Sequence, residues 1–345
     1  MLRATRPTRD GGYIAAGVAE GPMGRYSRGL LLKLDASGAI AWQQSYGLPA
    51  NTDGRFAFID VMEAPDGGFV AVGTYRQDSV ALRDQALVMK VDAGGSVGWV
   101  RAFGMFGSSL AVSVQRAADG TLLVGGTFES MPASGAWVAR LDFSGGVLSQ
   151  KVYGTPGDRG NALIATPDAG ALLVGRRGLV NPGTGGGHWD FWAIKLDAAG
   201  DVQWQRTFGG LGEDVASAVL AAPDGGFILA GYSGPGPGAL MPSDAWVLKV
   251  ASDGAIPGCA LAGDSQAPVT AYTAPPDQPN VESFAVSVQT FGVTIAEAAL
   301  PFRPSLRCFH DDALTAEVPA LSPLLATLLA AILGLAGAAR LALPR

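Results

Sequence analysis

Histidine and cysteine are nearly absent from these 345 residues, which hold only His188, His310, Cys259 and Cys308. With so few, no Cys-x-x-Cys or His-x-x-x-His pairing exists, which removes the familiar zinc spacings. A Ser-His-Asp site would have to rest on one isolated imidazole. No Gly-x4-Gly-Lys-Ser/Thr phosphate loop occurs, and the glycine-rich run 183–187 reads as a connection between strands. Charged residues make up only 16% of the chain and the net charge is -6. No Lys/Arg cluster forms a basic face, so nucleic-acid binding is excluded as a function class. Amphipathic helical stretches are missing before residue 320, which argues against a parallel crossover fold.

What the chain has is glycine, 49 residues of it, together with positive hydropathy. Disorder does not fit that composition. The glycines fall in a repeat. A turn signal stands at Asp10-Gly11-Gly12, Asp66-Gly67-Gly68, Asp119-Gly120-Thr121, Asp168-Ala169-Gly170 and Asp224-Gly225-Gly226, with copies about fifty residues apart. Each is followed by a short apolar run ending in Gly, which reads as a strand. A variable loop comes next, then a second apolar run carrying one basic residue: Lys33, Lys90, Arg140, Lys195 or Lys249. These cations are expected at solvent or paired with a nearby Asp.

An Asp-x-x-Gly hairpin signal then follows at Asp35/Gly38, Asp92/Gly95, Asp142/Gly145 and Asp197/Gly200. It opens a third strand with Trp42, Trp99 or Trp204, where the third copy has Ser149 and the fifth has lost the register. A fourth strand returns the chain to the next Asp-Gly turn. The second strands are nearly continuously apolar, so both sheet faces are expected to be covered, and the recurrent aromatics are expected to pack between repeats. The predicted fold is therefore all-β: a β-propeller of five to six four-stranded blades, plus a C-terminal transmembrane helix.

The stretches "DGGYIAAG…LLKLDASGAIAWQQSYG" and "PDGGFILAG…DAWVLKV" resemble the Asp-Gly-Gly repeats of delta-sixty-type bacterial and archaeal β-propeller proteins, over roughly residues 2–255. The resemblance implies surface or secreted location more than any chemistry. The tail "VPALSPLLATLLAAILGLAGAARL" is similar to C-terminal sorting tails of Gram-negative bacteria, especially the IPTL type, with Ala320 where that motif has Thr. It implies a sorting peptidase as a partner.

The expected organisation is repeats over 1–255, an irregular closing blade over 256–312, a linker at 313–319, and an apolar helix with a basic end at 320–345. Residues 2–6 stand where a fourth strand would precede the first Asp-Gly turn and residues 281–290 resemble such a strand after repeat five, so the ring is expected to close by mixing strands from the two ends. Cys259 and Cys308 are expected to form a disulfide across the closing segment, with two inert buried thiols as the alternative. From Ala320 to Ala339 the chain is almost wholly apolar and long enough to cross a bilayer as a helix. Asp311, Asp312 and Glu317 precede it and Arg340 follows it, which places the short end in the cytoplasm and the repeats outside. The first fifteen residues hold no apolar leader, so an export signal is expected upstream.

The sequence thus predicts no catalytic, cofactor or metal residues. Asp53, Asp158 and Asp214 precede the fourth strands and are read as turn caps in preference to calcium ligands. The expected function is an exported, membrane-anchored cell-envelope module of a bacterium that binds a protein or glycan through the loops 18–28, 74–84, 127–135, 176–190 and 232–243. A glycan-acting propeller enzyme with carboxylates near the axis is the alternative.

Overall fold

A computed structural model describes residues 1–20, 27–47, 54–77, 83–104, 108–130, 133–180, 187–210, 212–234, 243–256, 262–264, 268–271 and 282–285. The chain divides into two compact units, one of Met1–Ile256 with Leu261–Ile295 and one of Pro257–Ala260 with Ala296–Arg345. All described residues belong to the first. The predicted disulfide Cys259–Cys308 and the apolar segment from Ala320 to Ala339 with Arg340 lie outside the described residues, as does Asp53. Among the described residues no helix is long and apolar enough to cross a membrane.

The described chain is all β, built of antiparallel sheets with no helix. Repeat one forms β1 (Leu2–Pro7), β2 (Tyr13–Glu20), β3 (Ser27–Leu34) and β4 (Ile40–Gly47). Repeat two forms β5 (Gly54–Glu63), β6 (Phe69–Gln77), β7 (Gln85–Val91) and β8 (Val97–Phe103). Repeat three follows with β9 (Leu110–Arg116), β10 (Leu122–Ser130), β11 (Ala133–Leu141) and β12 (Val147–Tyr153). Repeat four has β13 (Arg159–Ala165), β14 (Ala171–Val180), β15 (Gly187–Leu196) and β16 (Val202–Phe208). Repeat five has, among the described residues, β17 (Asp214–Ala221), β18 (Phe227–Ser233) and β19 (Asp244–Val250). Within each repeat neighbours in sequence pair as neighbours in the sheet, and one parallel bridge, Ser27 to Arg55, joins the first two repeats into a single sheet.

The repeat's local chemistry explains this regularity. In every Asp-Gly turn the Asp side chain accepts a hydrogen bond from the backbone N–H two residues on, at Gly12, Gly68, Thr121, Gly170 and Gly226. The intervening residue has positive φ, which glycine adopts without penalty at Gly11, Gly67, Gly120 and Gly225. The fourth copy places Ala169 there, at φ 59°, the one non-glycine with positive φ among the described residues. The Asp-x-x-Gly turns work similarly, Asp35 accepting from the N–H groups of Ser37 and Ala39. In repeat five Ala251 occupies the Asp position, yet Gly254 still donates to the Ala251 carbonyl, so the turn survives the lost register.

Packing between repeats makes the core. Each middle sheet presents alternate residues of its second strand to the repeat before it and to the repeat after it, and four apolar clusters occupy the four junctions. Between repeats one and two, Ile14 and Leu31 meet Phe69, Ala71 and Leu87. β7 is accordingly buried along its whole length, as expected of a strand covered on both faces. Two latches recur across the junctions. Trp42, Trp99 and Trp204 each donate their indole N–H to a backbone carbonyl in the next repeat's hairpin turn, at Ala93, Phe143 and Ser252, over 2.9, 2.9 and 3.0 Å. Tyr46 and Tyr153 donate to the Gly95 and Gly200 carbonyls at 2.7 Å.

The recurrent cations do pair with Asp, and all of them but Lys249 are buried. Lys33, Lys90 and Lys195 reach Asp10, Asp66 and Asp168 at 2.8, 2.8 and 2.6 Å, and each also donates to the carbonyl of the residue that follows it. Each ion pair ties a strand end to its own Asp-Gly turn. Arg140 does more, bonding Asp119 and the Ala169 carbonyl of the next repeat.

The described pieces of the segment after Ile256 add strands to the outer edges of earlier repeats. β20 (Ala262–Asp264) pairs with β16, β21 (Val269–Ala271) with β12, and β22 (Glu282–Ala285) with β4, all antiparallel. Residues 282–285 therefore lie on the far side of repeat one from β1.

The strained turn gives a direct test. Replacing Ala169 with Gly removes the left-handed penalty on a β-carbon and is expected to stabilise the fold by roughly 0.5–1 kcal/mol, while Gly67→Ala costs about 1 kcal/mol. Urea unfolding midpoints of the two variants check both signs.

Candidate functional site

The loop-bearing ends of β14, β15, β17 and β18 bring together residues that the repeat does not explain. On β15 the register sets Asp190 opposite Arg177 of β14, while Phe191 pairs with Phe208 at the end of β16. Asp190 therefore stands beside Gly209. A β-carbon on Gly209 would collide with Oδ1 of Asp190 and Oδ2 of Asp214, so the two carboxylates converge over a residue that must lack a side chain. Both are buried, and His188 Nε2 lies 3.6 Å from Asp190 Oδ1.

The hydrogen-bonding of this pair is incomplete. Asp214 Oδ2 accepts from the Gly210 N–H at 3.1 Å, but Asp214 Oδ1, Asp190 Oδ1 and His188 Nδ1 are buried with no hydrogen-bond partner in the structure. Nearby on the same two strands, Arg177 Nη1, Arg176 Nε and the Trp192 indole N–H share that condition. Buried polar atoms without partners are uncommon because each carries an uncompensated desolvation cost. Burial, and then the negative charge of Asp214, push the Asp190 carboxyl up from 3.8 to about 7. Near neutral pH the Asp190 carboxyl is therefore about half protonated.

On the other face of the same strands lies a half-buried group of side chains. The Arg176 guanidinium lies 3.7 Å from the centroid of the Trp189 ring, a close cation–π contact. Trp189 forms a parallel bridge with Glu213. Burial raises the Tyr232 hydroxyl, with Arg176 lowering it and Glu213 raising it, so these charges act on one another across the junction of repeats four and five. Burial and the positive charge of Arg159 lower Arg176.

Two other places resemble sites and are not. A crevice between repeats three and four is lined by Arg140, Lys151 and Tyr153, but these groups are occupied by Asp119, Asp201 and the Gly200 carbonyl respectively. Gly94-Gly95-Ser96-Val97-Gly98 spells a nucleophile elbow, yet it forms the β7–β8 hairpin turn, where the Ser96 N–H donates to Asp92 and no helix follows.

Asp158 and Asp214, weighed in the sequence as caps or calcium ligands, both act as caps. Asp158 accepts from the N–H groups of Thr155 and Gly178 at 2.8 Å. Among the described residues no group of three or more His, Cys, Asp or Glu is arranged to hold a metal ion. Of the loops expected to carry contacts, 176–190 and 232–243 supply Arg176, His188, Trp189, Asp190 and Tyr232 to this site. The sequence reading did not single out Asp190. Its signal was available in the repeat register, where the equivalent positions are Arg28, Gln85, Gly135 and Asp244.

The raised carboxyl has a thermodynamic consequence. Because the folded chain holds the Asp190 proton more tightly than the unfolded chain, this group's stabilising effect is complete below about 4 and is lost as pH rises through about 7. Asp190→Asn is expected to remove that dependence and to exceed the parent in stability above pH ~7. Thermal midpoints of both chains across that range check it. A constant difference between them at every pH would show that Asp190 does not titrate there.

No family model matches the chain, and no curated protein matches it. Among solved structures the chain is similar to a protein of Parabacteroides distasonis described as a "putative glycoside hydrolase", at 14% identity and a TM-score of 0.33, over 68% of this chain and 83% of that one.

Proposed function

We propose that this chain is an exported β-propeller module, its repeats being the blades, that binds a glycan at the loop-bearing end of repeats four and five and is held at the bacterial envelope by the segment Ala320 to Ala339. The observation that carries the binding reading is the half-buried group of Arg176, Trp189, Glu213 and Tyr232, at the same strand ends that hold a buried carboxylate pair with unpartnered atoms. A half-buried aromatic ring beside charged and hydroxyl groups suits a sugar ring, whose faces are apolar and whose edges carry hydroxyls. The propeller reading is supported by five consecutive repeats of antiparallel strands packed face against face through repeat-equivalent residues.

A second reading is favoured by one specific feature. Asp190, raised toward neutrality beside the buried Asp214, has the character of a general acid next to a carboxylate, the pairing used in glycoside hydrolysis.

The test is binding of the full-length chain, in mild detergent, to a panel of immobilised bacterial and host glycans. Trp189→Ala and Arg176→Ala are each expected to weaken the strongest interaction about tenfold or more. Undiminished binding in both variants would remove this surface as the site. Release of reducing ends by the parent chain, abolished in Asp190→Asn with binding retained, would replace the binding module with the enzyme.

A further inference from the structure

The outer edges of the sheets share one register, and repeat two leaves it incomplete. β20 sets Gly263 opposite Thr207 of β16, β21 sets Thr270 opposite Val152 of β12, and β22 sets Phe284 opposite Ser45 of β4. Thr207, Val152 and Ser45 are equivalent residues of three repeats, each one position before the closing aromatic Phe208, Tyr153 or Tyr46. From Gly263 to Thr270 is a step of seven residues, and from Thr270 to Phe284 a step of fourteen, twice as long. The shorter step carries the chain from repeat four to repeat three. The longer one runs from repeat three to repeat one and so passes repeat two, whose outer strand β8 has no partner on that edge among the described residues.

The edge of β8 is built like the edges that are paired. In β12 the Gly154 N–H donates to the Pro268 carbonyl at 2.7 Å, so by antiparallel alternation the N–H and C=O of Val152, two residues back, also point toward the added strand. Ala102 and Gly104 stand in β8 where Val152 and Gly154 stand in β12, and the two glycines share a positive φ, 94° and 97°. Ala102 is 1% exposed, against 1% for Val152 and 2% for Ser45 beneath their added strands. A methyl side chain cannot shield its own backbone N–H and C=O, so an edge alanine is hidden this far when something lies against the edge.

We propose that Pro276, Asp277 and Gln278 form the fourth strand of this strap, antiparallel to β8 with Asp277 opposite Ala102, so that one segment fastens repeats four, three, two and one in turn. The period makes the assignment, because Asp277 lies seven residues after Thr270 and seven before Phe284. The three prolines of this stretch argue against a strand by composition, yet the register makes each of them harmless. Pro275 takes the place of Pro268, which already serves through its carbonyl alone, and its carbonyl meets the Gly104 N–H. Pro276 falls opposite Phe103, where alternation turns its nitrogen away from β8 and no N–H is required. Pro279 matches Tyr272 and falls in the link to the next sheet. Asp277 supplies the one N–H that the Ala102 carbonyl needs.

Amide hydrogen exchange of the full-length chain in mild detergent, resolved to single residues, tests this. The Ala102 N–H is expected to exchange as slowly as those of Val152 and Thr207. Asp277→Pro removes the pairing N–H and is expected to speed exchange at Ala102 about tenfold or more, while Val152 and Thr207 keep their rates. Fast exchange at Ala102 in the parent overturns the proposal. Slow exchange that Asp277→Pro leaves unchanged overturns it too, since the edge then has a different cover. If Asp277→Pro accelerates all three amides, more than one strand has been lost and a cross-link decides. With Cys259→Ser and Cys308→Ser in place, Arg101→Cys combined with Gln278→Cys is expected to form a disulfide on air oxidation, and combined with Asp277→Cys, one residue out of register, far less of one. No disulfide from the first combination, or equal yields from both, overturns the proposal.

Discussion

Burial of each sheet between its neighbours is the constraint on which the rest of the structure depends. A four-stranded sheet has two faces, and the second and third strands of each repeat are apolar on both. Such a sheet has no stable existence alone in water, since one uncovered face would forfeit much of the driving force for folding. The repeats meet this by offering alternate residues of one strand to the repeat before and the repeat after, as Val70 and Val72 do on one side of β6 and Phe69 and Ala71 on the other. The Trp and Tyr latches fix the rotation between sheets, because an indole or phenol that must reach one particular carbonyl permits little sliding.

The treatment of charge follows from that burial. A lysine placed among covered strands must bring its counter-ion with it, and each repeat supplies one from its own turn: Asp66 for Lys90, Asp168 for Lys195. The pairing also lowers the carboxylate against the burial that raises it, to about 2 in Asp168. These ion pairs are part of the scaffold, and their recurrence marks them as such. Asp190 and Asp214 differ on every count. They face like charge, their outer oxygens are unpartnered, and their arrangement occurs at one junction only among the described residues. Elsewhere buried Asp60 is met by Arg6 and buried Asp158 by the N–H groups of Thr155 and Gly178, whereas Asp190 Oδ1 and Asp214 Oδ1 have no hydrogen-bond partner.

The outer edges of the sheets are managed separately. An uncovered edge strand is a template for unintended pairing, and short strands of the later segment cover β16, β12 and β4 in turn. Because this segment runs back along the repeats, it fastens sheets that already pack through their faces. Edge pairing and face packing are independent restraints, so loosening one leaves the other in place.

The sequence by itself determined the repeat, the position of every turn, the four-strand unit and the two-sided burial of the middle strands. Those features are local: an Asp that bonds the N–H two residues on, a glycine that accepts positive φ, and an apolar run too continuous for a half-wet strand. The turn of repeat five shows the limit even of local reading, since Ala251 and Gly254 preserve a backbone geometry whose side-chain signal is gone. Only tertiary structure decided that Lys33, Lys90 and Lys195 are buried, that β20, β21 and β22 return to earlier sheets, and that Asp190 meets Asp214. Burial of Lys90 depends on the neighbouring repeat that covers it. The Asp190–Asp214 encounter depends on strand register at two sheet ends and on the missing β-carbon of Gly209, none of which is encoded in the spacing of the two residues along the chain.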